Sequence, residues 1–110
     1  MPFYMFHGRY TTAAIKAMVD NPHDREAAAR PLIEALGGKL HNLFFCFGSD
    51  DVVAIIEAPD DSAMAACALT VGASGAFSGG ATTKLLTAAE AVKAMEKAQS
   101  ARSSYKPATG

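Results

Sequence analysis

The stretch Leu43-Phe44-Phe45-Cys46-Phe47-Gly48-Ser49-Asp50-Asp51-Val52-Val53-Ala54-Ile55-Ile56 decides the fold. Two apolar runs rich in aromatic and β-branched residues flank Gly48-Ser49-Asp50, a short link of turn-forming residues. The pattern predicts a β-hairpin with strands over residues 39–47 and 51–57. Neither run alternates cleanly. Apolar residues on consecutive positions imply that both faces of these strands are buried.

Upstream, Phe3 to Tyr10 alternates and predicts a strand with Phe3, Met5, His7 and Arg9 on one face and Tyr4, Phe6, Gly8 and Tyr10 on the other. Thr11 is an N-cap candidate for a short helix that carries Ile15, Met18 and Val19 at i, i+3 and i+4 and stops near Asn21-Pro22. A second helical stretch begins around Pro22, places Ala28, Ala29, Leu32, Ile33 and Leu36 on one stripe and ends at Gly37-Gly38. Pro31, inside it, predicts a kink or a restart because it lacks an N–H and crowds the carbonyl of Ala27. Downstream, Pro59-Asp60 ends the third strand and caps a helix from about Asp61 to Val71. Residues 75–86 read as a strand in which Gly79-Gly80 marks a bulge or a close backbone approach. Thr87-Ala88-Ala89-Glu90 is a capping box that opens a helix to about Gln99. Residues 100–110 read as a flexible tail and residues 1–99 as a single domain.

The order β-α-β-β-α-β-α is the α+β, ferredoxin-like βαββαβ arrangement with an extra C-terminal helix. Right-handed crossovers set the strand order four-one-three-two. Helices of a chain this short can cover only one face of a four-stranded sheet. A second copy of the chain is the simplest cover for the other, so a homodimer through the sheet face is expected.

Composition narrows the function classes. The chain has 110 residues, 50% of them hydrophobic, with ten Lys plus Arg against eleven Asp plus Glu. A net charge of −1 and scattered basic residues exclude the field a general nucleic-acid binder needs. The longest uncharged stretch has too many small residues for a membrane span, and the first residues lack the basic and apolar regions of a secretory signal, so a cytoplasmic setting is expected. Cys46 and Cys67 read as buried free thiols, Cys46 in a sheet interior. His7, His23 and His41 fall on elements too far apart to share an ion, and the glycines precede no Lys-Ser or Lys-Thr, so neither metal nor phosphate cofactor is expected.

The run Phe47 to Asp61 resembles the signature of the GYD domain family, small proteins of the dimeric α/β barrel superfamily. Gly37-Gly38-Lys39-Leu40 before it and Leu86-Thr87 with Glu90 after it are similar to that family as well. Where the family has Gly-x-Tyr-Asp, this chain has Gly48-Ser49-Asp50-Asp51, with Asp50 in place of the motif tyrosine. The resemblance implies a dimeric α/β barrel. Related barrels include heme-degrading and quinone-forming monooxygenases, a likeness of fold only.

In this topology the end of strand one lies beside the start of strand three, which predicts that His7, Arg9, Tyr10, Asp50 and Asp51 converge as candidate ligand-binding residues. Arg9 with Asp50 or Asp51 is the alternative of a simple surface ion pair. His7 is either a hydrogen-bonded core residue or a polar group facing a pocket, and Tyr10 either lends a phenol to that pocket or packs. Three functions fit. The first is a dimeric module for a small apolar or aromatic molecule, with walls from Phe3, Met5, Phe44, Phe45 and Phe47. The second is a cofactor-independent monooxygenase or isomerase, with His7 as base and Arg9 or Tyr10 placing an oxyanion. The third is a structural or assembly protein with a filled interior.

Overall fold

The computed structural model describes all 110 residues, Met1–Gly110. Strand β1 (Phe3–Tyr10) leads through helices α1 (Thr12–Asp20) and α2 (Arg25–Ala35) into the hairpin β2 (Lys39–Phe45) and β3 (Val52–Glu57). Helix α3 (Asp61–Ala73), strand β4 (Phe77–Leu85) and helix α4 (Ala88–Ala101) follow, with a 3-10 turn over Arg102–Ser104. The sheet order is β2-β3-β1-β4 and every pair is antiparallel. This is the expected ferredoxin-like order with β1 and β3 central. No helix is long and apolar enough to cross a membrane.

Local chemistry sets the element ends. Thr11 accepts from the Ala14 amide, Asp60 from Ala63, and Thr87 and Glu90 form the reciprocal capping box. Helix α2 starts at Arg25, later than Pro22, because the Asp24 carboxylate accepts from the Glu26 and Ala27 amides. It ends at Gly37, whose φ of +81° lets the Gly37 and Gly38 amides donate to Glu34 and Ile33. Pro31 does not interrupt this helix. Pro31 and Ala27 both face solvent, so the carbonyl deprived of a donor is open to water.

The helices cover one face of the sheet. Tyr4, Leu40, Ala54 and Ile56 from the strands pack with Ile33 of α2 and Met64 and Cys67 of α3 in one core, and Val52 is only 2% exposed. The opposite face carries Phe3, Met5 and His7 of β1, Val53 and Ile55 of β3 and Phe44 of β2, by strand alternation and register. Within the chain nothing covers it: Val53 and Ile55 are half-exposed and Phe44 is 57% exposed. The double burial expected of the hairpin strands is therefore absent from the single chain.

Strand β2 stops at Phe45, two residues short of expectation. The loop begins there because the Cys46 amide donates to the Asp51 carbonyl and Gly48 takes a φ of +112°. Cys46 is exposed, not interior as its apolar neighbours suggested, while Cys67 is buried.

Gly79-Gly80 is a close approach: a Cβ on Gly80 would lie 2.5 Å from the His7 carbonyl oxygen. The irregularity of this ladder falls beside them, at Arg9/Tyr10, where Gly79 and Phe77 are successive partners and Ser78 is the extra residue. No residue of α1 or α4 is buried, and Val92 and Met95 of α4 are exposed. The radius of gyration is 17.8 Å, against about 13 Å for a compact domain of this length.

Candidate functional site

The β2–β3 loop is laced to the end of β1. The Asp51 amide donates to the Gly8 carbonyl at 2.9 Å, and the Asp51 carboxylate accepts the Tyr10 amide at 3.0 Å. The β1–β3 ladder ends at Gly8 and Val52, so the Tyr10 amide beyond it has no strand partner on that side, and the carboxylate supplies its acceptor. His7 Nδ1 lies 2.7 Å from Asp50 Oδ2, and Arg9 Nη1 donates to the Ser49 carbonyl at 3.1 Å. All five candidate residues thus meet at one end of the sheet. Arg9 does not form the ion pair with Asp50 or Asp51: one carboxylate is taken by His7, the other by a backbone amide, and the guanidinium bonds a carbonyl.

The strand pleat then divides these residues between two environments. His7 and Arg9 project from the open face. Asp50 in the position of the motif tyrosine has a direct partner there, and its contact with Nδ1 leaves Nε2 of His7 as the second hydrogen-bonding position of the ring. A carboxylate held on one nitrogen is the arrangement that orients a histidine base. A similar pair stands at the other end of this face, His41 Nε2 to Glu57 Oε1 at 2.6 Å, with the His41 ring against Phe3.

Tyr10 lies on the covered side. Its ring stacks on Phe77 at 4.5 Å and on Phe45 at 6.0 Å, and it also helps to line a cavity of about 240 Å³ between the sheet and helices α2 and α3. Tyr10 therefore packs, and the cavity that it lines is not one it shares with His7. The walls are almost wholly apolar, with Phe6, Leu32, Leu43, Val52, Met64 and Cys67 among them. His7 is not among the lining residues, because alternation sends it through the opposite face. Of the aromatic and apolar walls expected from sequence, Phe3, Met5 and Phe44 likewise face away, Phe47 is fully exposed and Phe45 touches the site only through Tyr10.

One cavity residue was indistinguishable in the sequence from the scattered surface cations: Arg25, the first residue of α2 and the only charged residue lining the cavity. It lies beside the Tyr10 hydroxyl. Burial pushes the Tyr10 pKa up, and Arg25 opposes that shift only in part. Burial also raises the Cys67 thiol, keeping it protonated and unreactive. At the rim of the same face Tyr4 donates to Asp61, 2.5 Å away; the carboxylate pushes the phenol up to about 12, and the phenol, with Lys84, holds Asp61 below its ordinary value.

The curated proteins contain no match to this chain. Four chains of solved structures match. One is the crystal structure of MtbAldR, with a TM-score of 0.56, 15% sequence identity and an overlap of 78% of this chain and 53% of that one. The likeness is one of fold, and this chain spans about half the length of that protein. The GYD domain model matches residues 4–95, from β1 into α4 and across the loop that carries Asp50 and Asp51. With that match over most of its length, the chain belongs to the GYD domain family.

Proposed function

We propose that this protein is a homodimeric binding module for a small apolar or aromatic molecule, held between the sheet and helices α2 and α3. The observation that carries the reading is the cavity of about 240 Å³ under the covered face. An apolar cavity of about 150 Å³ already accepts a benzene ring, so this one has room for a ring with a short chain attached. A purely structural protein has no use for such a space, because each unfilled methyl-sized volume costs stability. The dimer is supported by the open sheet face, where Phe44, Val53 and Ile55 form an apolar surface that no element of the chain covers.

A thermal-shift screen with aromatic and quinone-like compounds tests the binding role. A ligand at 100 times its Kd adds about 2.7 kcal/mol and moves the Tm by several degrees. Ala29→Phe, which projects a ring from α2 into the cavity, should abolish the shift. His7→Ala, on the other face, should preserve it. A blank screen, or a shift unaffected by Ala29→Phe, overturns the assignment of the cavity as the binding site.

A further inference from the structure

Resting on the reading of the cavity as a binding site, we infer that its ligand is an organic acid: an aromatic or aliphatic body inside the cavity, with its carboxylate on Arg25 and the Tyr10 hydroxyl.

The inference starts from an imbalance of charge. Arg25 is the only charged residue lining the cavity, and no carboxylate lies within 4.0 Å of it, whereas Lys16, Arg30 and Lys84 each have an acidic partner. The nearby acids are engaged elsewhere. Asp24 caps α2 through the Glu26 and Ala27 amides, Glu26 pairs with Arg30, and Asp51 holds the Tyr10 amide. A half-buried guanidinium without a counter-charge at an apolar cavity is complementary to an anion.

The guanidinium is also held in place. His23 Nδ1 contacts the Asn21 carbonyl at 2.7 Å, so the N–H sits on Nδ1 and Nε2 is the acceptor for Arg25 Nη1 at 2.9 Å. One of five donors is thereby spent on positioning and another faces the Tyr10 hydroxyl, which leaves the rest for a planar acid. Thr70 and Ser74, the other polar lining residues, donate to the Ala66 and Val71 carbonyls of their own helix. The polar recognition therefore converges on Arg25 and Tyr10, and the remaining wall is apolar. A phosphate, with more charge to neutralise, would meet a single cation here and no glycine-rich cradle.

Isothermal titration of the full chain with 4-phenylbutyrate and with 4-phenylbutan-1-ol, at pH 7 and low salt, tests the inference. The two probes share a body and differ in the head group. The acid should bind about tenfold or more tighter than the alcohol. Arg25→Gln should remove that advantage without changing the alcohol, and Arg25→Lys, which keeps the charge, should retain part of it. If both probes bind the wild type equally, the acid assignment falls while the cavity site stands. If the acid keeps its full advantage in a folded Arg25→Gln chain, Arg25 is not the recognition group. Failure of both probes to bind counts against the cavity as a site for ring-bearing ligands and removes this inference with it.

Discussion

The two faces of the sheet are built from the same strands and meet opposite fates. Along β3, Val52, Ala54 and Ile56 are buried under α2 and α3, while Val53 and Ile55, one residue out of phase, stand half-exposed. The residue types are nearly the same, so hydrophobicity along the strand does not say which face the chain itself will cover. What distinguishes the faces is their polar groups. On the open side two histidines are paired with carboxylates, at Asp50 and Glu57. The covered side keeps its cavity apolar apart from Arg25 and short hydroxyls. One strand pattern has to serve both faces, and adjacent apolar residues in β3 are the result.

The sharpest way to break this comparison is to place the same charge on each face in turn. Ile56→Asp buries an unpaired carboxylate in the core and should cost more than about 4 kcal/mol, enough to unfold a domain of this size; circular dichroism would show the loss. Ile55→Asp should leave the fold intact and instead abolish association, so that light scattering falls from about twice the 11.4 kDa chain mass to the single mass. A wild type that already scatters as a monomer would show that the open face is tolerated in water.

A smaller effect separates two adjacent glycines. Gly80→Ala drives a Cβ against the His7 carbonyl at 2.5 Å and the Gly8 Cα at 3.0 Å, both backbone atoms that cannot rotate away, and should cost about 1–3 kcal/mol of stability in denaturant unfolding. Gly79→Ala meets nothing within 4 Å and should stay within about 0.5 kcal/mol of wild type. Equal losses would mean that β4 does not approach β1 as described.

The smallest effect is read from pH. Unfolded, Tyr4 releases its proton near 10, and folded it holds the proton to about 12. Between those values the unfolded state binds fewer protons, so stability falls as pH rises. Tyr4→Phe should flatten that slope in part, since burial raises Tyr10 as well. The same bond acts with opposite sign in acid: Asp61, held below 3.8, gives a contribution that is lost as pH falls through its lowered folded value. Identical alkaline slopes in wild type and variant would refute the Tyr4–Asp61 bond.

Much of the architecture was legible because it rests on local signals. The hairpin, the caps at Thr11, Asp60 and Thr87 and the right-handed crossovers are enough to set the strand order, and the strand order is enough to bring His7 and Arg9 to Asp50 and Asp51. The face of the sheet that each residue serves was harder. Phe44, Phe45, Cys46 and Phe47 look alike in a sequence, yet the strand ends between Phe45 and Cys46, which leaves Cys46 and Phe47 in an exposed loop. Arg25 escaped because a cation at the start of a helix has no local mark of the cavity behind it. Its role arises from α2 lying over Tyr10, a contact across 15 positions that no periodicity records.

The order of the strands also bears on the order of events during synthesis. Strand β1 is made first, yet its two partners are β3 and β4, the latter ending at Leu85, 75 positions after Tyr10. At a translation rate of about 5–20 residues per second, the central strand waits about 4–15 s for its final neighbour. Hydrogen bonds of β2 with β3 can form early, because a short loop joins them, but the sheet acquires its centre only when β1 docks along β3. Until β4 is made one edge of β1 has no partner, and for those seconds that edge is open to pairing with another nascent copy.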